Sequence, residues 1–285
     1  MGRGAWTTSA YTIYSKSVGR TVLDDGNLDK SYSAQDLFKS RCIQPELDPY
    51  NVVRQCCDSE EHPNTIPVIL ALDVTGSMGS AAAEVAKKLN EVMTRLYEEV
   101  TDVEFLVMGI GDLAYDNAPI QASQFESDVR IAEQLDKIYF ERGGGGNSFE
   151  SYTAAWYFGL KHTDLDCWKR GKKGIIITMG DESLNPYLPA NRLSAVTGDS
   201  LQTDVETETL YNATSEKFDI YHLAIDDTAT SYSWHKDGIN NTYSKYLDNK
   251  HFLTVGLNNI ASTIVNIITN AKDEEVVNTN TEISW

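Results

Sequence analysis

The apolar run at residues 68–72 (Val-Ile-Leu-Ala-Leu) stops abruptly at a carboxylate, Asp73. Such a run, with no polar alternation, reads as a strand buried on both faces, which requires a sheet with layers packed on each side. Beyond it the chain continues Val-Thr-Gly-Ser-Met-Gly, so Asp73, Thr75 and Ser77 form a D-x-T-x-S pattern. Alternate positions on an extended loop turn to one side. One carboxylate and two hydroxyls are hard oxygen donors of the kind that suit Mg²⁺, Mn²⁺ or Ca²⁺.

The same texture recurs downstream. A helix is expected at about residues 80–100, where Val85, Leu89, Val92, Leu96 and Val100 make one apolar stripe. Further strands are expected at 103–110, 174–178, 218–225 and 251–255. Residues 118–125 alternate weakly and suit an antiparallel edge strand. Helices are expected at 127–139, 149–160, 201–217 and 260–271, and the glycines at 143–146 break the chain. Apolar strands alternating with helices predict an α/β fold: a doubly wound, mainly parallel, Rossmann-like sheet covered on both faces. No internal repeat or low-complexity segment is evident.

Residues 1–65 differ. They are rich in Ser, Tyr, Asp and Arg and lack sustained helical periodicity, apart from one short helix at 33–42 with Ser33 and Asp36 as its capping pair. Trp6, Tyr11 and Tyr14 are too much aromatic bulk for a disordered tail. The expected organisation is an N-terminal extension (1–65) packed on a main domain (66–272), followed by a tail (273–285). The net charge of −18 disfavours nucleic acid or an anionic membrane surface as partner. No apolar run reaches the length of a membrane span. The first residues lack the apolar core of a signal peptide, so a cytoplasmic protein is expected, although leaderless export or packaging in a virion would leave no trace in this segment. Cys42, Cys56, Cys57 and Cys167 form no C-x-x-C pair; free thiols are expected, with a Cys42–Cys56 disulfide as the alternative.

Ligands of open α/β sheets sit beyond the carboxyl ends of strands at a topological switch point. Three such ends carry oxygen donors here: the Asp73 loop, the Gly-rich loop and Gly180-Asp181-Glu182. This combination resembles the von Willebrand factor A (vWA) family and its metal-ion-dependent adhesion site, over about residues 66–272. The resemblance implies a mainly parallel sheet with one antiparallel edge strand. It also implies that Thr75 and Ser77 ligate a divalent cation through their hydroxyls, with Asp73 and Asp181 binding directly or through water. The open position would then take an Asp or Glu of a protein partner. Intracellular members of the family work with AAA+ ATPases of the MoxR or chelatase type, or as components of larger assemblies, and the resemblance implies a partner of that kind.

The second loop departs from the common Gly-Gly-x-Thr. Here it reads Gly-Gly-Gly-Gly-Asn-Ser-Phe-Glu over residues 143–150, closer to a Gly-Gly-Gly-Asp-x-x-Glu variant. Asn147 or Ser148 would supply the oxygen, with Glu150 behind it. Asn147 and Glu150 also read as a helix capping box, and the two readings are compatible. No Gly-Lys-Ser/Thr follows, so the loop is not a phosphate-binding P-loop. Asp112, Asp226 and Asp227 are expected to be solvated strand-end acids. The five scattered histidines are expected in core or surface roles, and Trp234 and the Tyr-rich stretch 232–246 as packing or loop anchors, with a partner surface as the alternative.

Two other functions compete with a non-enzymatic binding module. The loop is similar to the Asp-Lys-Thr-Gly-Thr nucleophile loop of haloacid-dehalogenase-like phosphatases and P-type ATPases, which would make Asp73 a phosphoryl acceptor. Val74 stands where the ATPases have Lys, and Thr75 where simple phosphatases place a second Asp. A structural or assembly protein with an idle metal site is the third reading.

Overall fold

The computed structural model describes residues 4–100, 102–141, 147, 149–226 and 233–279, with the backbone alone for 233, 234 and 272–279. The central sheet has six strands: β1 (Ile66–Asp73), β2 (Val103–Ile110), β3 (Ile120–Ala122), β4 (Gly174–Gly180), β5 (Phe218–Ile225) and β6 (Phe252–Val255). Their spatial order is β6-β5-β4-β1-β2-β3. All neighbours pair in parallel except β2 and β3, which are antiparallel with Met108 opposite Ala122. This is the doubly wound, mainly parallel sheet with one antiparallel edge strand that the order of elements predicts. The direction of winding reverses between β1 and β4, so their carboxyl ends flank the switch-point crevice.

β1 explains the two layers. It is buried from Pro67 to Asp73, and its side chains alternate between two cores. Val68, Leu70 and Leu72 face the helices Gly79–Lys87, Leu89–Glu99 and Ile260–Thr279. Ile69 and Ala71 face Thr153–Lys161 and Thr207–Ser215.

The first 65 residues hold a ten-residue helix, Thr8–Ser17, that was not expected, and a shorter one at Ala34–Leu37 with the Ser33/Asp36 capping box. Trp6 is buried and donates its indole N–H to Asn90 Oδ1 at 3.0 Å. Strand Arg54–Cys56 pairs in parallel with Thr163–Leu165. The expected helix at 80–100 is two helices that meet at Lys88. Beside the break, the Leu28 N–H takes the carbonyl of Lys87 at 3.0 Å, a partner from outside the helix. All four cysteines are free, Cys42 exposed and Cys56 buried, so the disulfide alternative does not hold. Among the described residues no helix is long and apolar enough to cross a membrane.

Candidate functional site

The crevice between β1 and β4 gathers the oxygen donors. Asp73 is fully buried at the end of β1. Its Oδ1 accepts from the Thr75 backbone N–H at 2.8 Å and the Thr75 hydroxyl at 2.6 Å. Thr75 Oγ1 lies 3.4 Å from Ser77 Oγ, and Ser77 donates to Asp181 Oδ1 at 3.1 Å. Asp73, Thr75, Ser77 and Asp181 thus form one continuous chain of oxygens across the switch point. The loop leads into the helix Gly79–Lys87, so its orientation is set by elements on either side.

One participant was not anticipated. Tyr152 is fully buried and donates its hydroxyl to Asp73 Oδ2 at 2.7 Å. The same hydroxyl oxygen accepts from the Glu182 N–H at 3.3 Å, joining the β1 loop to the β4 loop. No spacing rule marks a tyrosine for this role; the available signal was its position two residues beyond Glu150.

The Gly-rich loop gives a mixed outcome. Asn147 is exposed, and its Oδ1 accepts from the Phe149 N–H at 3.1 Å, a local turn rather than a helix cap. Phe149–Glu150 is a short strand paired with Ser183–Leu184, and the helix begins only at Thr153. The capping-box reading is therefore corrected: strand pairing with the β4 loop claims Glu150 before a helix can start. Ser148 lies outside the described residues.

The acids at this end outnumber the basic groups beside them, His235 at 3.7 Å from Glu182 Oε2 and Arg192 bonded to the carbonyls of Leu113 and Asp116. Burial pushes the Asp73 carboxyl up to about 7, opposed by its bonds from Thr75 and Tyr152. Burial, reinforced by the charges of Asp73, Asp112, Asp116 and Glu182, pushes Glu150 up to about 10. Asp181 and Glu182 are also raised, by burial first. Glu150 Oε2, Asp112 Oδ2 and Glu182 Oε2 are buried with no hydrogen-bond partner. The expectation of a solvated Asp112 is corrected, because the residue is buried beside Asp116, whose carboxylate accepts its N–H at 2.7 Å. Asp226 is half-buried and paired with Lys236 at 2.7 Å. Asp227 is outside the described residues, as are the side chain of Trp234 and its contacts. His222 is buried, stacked on Tyr243 at 4.0 Å between ring centres, and burial pushes its pKa down to about 3, a packing role.

Among the described residues no group of three or more His, Cys, Asp or Glu is placed to hold a metal. The β1–β4 crevice differs from such sites because half of its donors are hydroxyls.

No protein-family model matches the sequence, and no curated protein does. Solved structures similar in shape include the pilus adhesin SpaC from Lactobacillus rhamnosus GG in its open conformation (13% identity, 79% of this chain, TM-score 0.48). The chain spans 31% of that adhesin's length. Others are the vWF domain of the type V pili tip protein Mfa5 from Porphyromonas gingivalis (12% identity, 78% of this chain and 97% of that one, TM-score 0.41) and proximal thread matrix protein 1 from the mussel byssus (12% identity, 76% and 49%, TM-score 0.42). Likeness at this level says nothing about activity or site.

Proposed function

We propose that the chain is a non-enzymatic protein-binding or scaffold module that uses a divalent cation, Mg²⁺ or its relatives Mn²⁺ and Ca²⁺, to capture a partner's Asp or Glu. The observation that carries this reading is the chain of oxygens from Asp73 through Thr75 and Ser77 to Asp181. Its donors are all oxygen, which fits a hard cation. Glu150 Oε2 and Asp112 Oδ2, buried without a hydrogen-bond partner, fit one too. Asp73, Thr75, Ser77 and Asp181 would hold the ion, with Asn147 or Ser148 as a further donor and Glu150 behind them. The ion would supply positive charge where the protein alone presents clustered acids that repel a carboxylate. The residues themselves set the site: Thr75 orients Asp73, and Tyr152 ties Asp73 to the Glu182 backbone.

A phosphoryl-acceptor role for Asp73 finds less support. Val74 stands where the ATPases have Lys, and Thr75 where simple phosphatases place the second Asp. The partner is proposed to be a cytoplasmic protein that presents an Asp or Glu, such as an assembly component or a AAA+ ATPase of the MoxR type.

Calorimetric titration with Mg²⁺ and Mn²⁺, with and without acetate, tests the reading. Acetate should strengthen metal binding, and beryllofluoride should not be captured. Tight beryllofluoride capture dependent on Asp73 would point to phosphoryl transfer instead.

A further inference from the structure

An open cleft of about 610 Å³ lies beside the Asp73 loop, lined by Gln35, Lys39, Ser40, Arg41, Tyr139, Phe140 and Glu141. One wall belongs to the N-terminal extension and the other to the segment that follows helix Arg130–Leu135; the two walls meet where Ser40 bridges Tyr139. The Glu141 N–H donates to the carbonyl of Val74, between Asp73 and Thr75, at 3.1 Å. On the extension side, a Cβ at Gly79, two residues beyond Ser77, would stand 3.4 Å from Ala34 Cβ. The cleft is therefore tied to the loop that carries Thr75 and Ser77 through its lining residue Glu141.

The cleft carries positive charge in a chain of net charge −18. Lys39 and Arg41 are exposed, and among the described residues neither makes an ion pair. Of the acids around them, Asp136 is paired with Arg20, while Asp36 and Glu141 accept only neutral donors and keep their charge; Lys39 lies in the field of Asp36 and Asp136, and in the lining itself Lys39 and Arg41 outnumber Glu141. The floor is aromatic, with buried Phe140 packed on Phe38 at 4.9 Å between ring centres.

We propose that this cleft is a second anion subsite, which binds an acidic peptide segment of the partner alongside the carboxylate held at the metal. The inference rests on the metal-dependent reading above and extends it. Lys39 and Arg41 receive further Asp or Glu side chains of the segment, and the aromatic floor supports its backbone. The extension thereby sets selectivity for a run of acids over an isolated one. Charge complementarity at exposed positions of this kind acts mainly on association rate and specificity, and weakens with salt.

The probe is fluorescein-labelled hexaglutamate, measured by anisotropy with the full chain in saturating Mg²⁺, against acetate as an unlabelled single-carboxylate competitor. The double variant Lys39→Glu/Arg41→Glu should weaken hexaglutamate by at least about tenfold, as expected for reversing two charges at a contact. Lys161→Glu/Lys245→Glu, with the same change in net charge at exposed positions elsewhere, should change it little. Equal affinity in wild type and the cleft variant, an equal loss in the control variant, or no hexaglutamate binding to wild type would each overturn the proposal. Mg²⁺ titration of the cleft variant without peptide separates the two ideas: unchanged Mg²⁺ binding alongside unaffected hexaglutamate sinks the subsite alone, whereas absence of Mg²⁺ binding in wild type sinks the metal reading.

Discussion

Tyr152 occupies the space that any side chain at position 180 would need. A Cβ built on Gly180 would run into the Tyr152 hydroxyl and ring. The ring is fully buried and its hydroxyl is bonded to Asp73, so it has no free direction in which to yield. Glycine at the end of β4 is thus a condition for the Tyr152–Asp73 bond. Gly180→Ala should cost about 1–3 kcal/mol through overpacking. It should also weaken Mg²⁺ binding by displacing Tyr152. Urea unfolding midpoints and a metal titration of the variant check both effects.

Tyr152→Phe keeps the ring and removes the donor. Asp73 Oδ2 is then left buried without its partner, and the expected loss of stability is about 1–3 kcal/mol. The Glu182 N–H loses its acceptor as well. Because the hydroxyl orients Asp73, metal affinity should fall while far-UV circular dichroism stays as in wild type.

The raised carboxyls make the stability of the metal-free protein dependent on pH. Asp73 is pushed up to about 7 and Glu150 to about 10, both by burial first. Below about pH 4 these groups are protonated in folded and unfolded chains alike. Above it the unfolded chain releases protons that the folded chain retains, so the stability these groups contribute is lost as pH rises through 7 and on toward 10. Unfolding midpoints in EDTA should fall between pH 5 and pH 8. Saturating Mg²⁺ should flatten that fall, since the ion competes with the protons, and its own affinity should drop as pH is lowered.

The extension is held by buried contacts, and Trp6 is the clearest of them. Trp6→Ala removes a buried indole and its bond to Asn90, at an expected cost of about 3–5 kcal/mol. Thermal unfolding of the full chain measures it.

What was legible in the sequence follows from period and polarity. β1 and β4 fall where unbroken apolar runs put them, and β2 and β5 where mainly apolar ones do, and each ends near an acid or a glycine. The antiparallel edge strand is shorter than its alternation suggested, residues 120–122 against 118–125. Helix lengths were less legible because distant partners decide them. The stripe from Val85 to Val100 runs unbroken through Lys88, and the helix break accompanies a bond from Leu28, far away in sequence. Phe149 and Glu150 look helical until Ser183 and Leu184 offer strand partners. Asp73, Thr75, Ser77 and Asp181 were found through their places at strand ends. Tyr152 was not, because its role depends on the space left by Gly180, a relation between two strand-end loops that no local pattern records.

The most direct test of the central claim is calorimetric titration of Mg²⁺ into wild type and Asp73→Ala, with circular dichroism to verify that both are folded. The account predicts binding at one site in wild type, strengthened by acetate and lost in folded Asp73→Ala. Absence of Mg²⁺ binding in wild type, or equal binding in the two proteins, would contradict it.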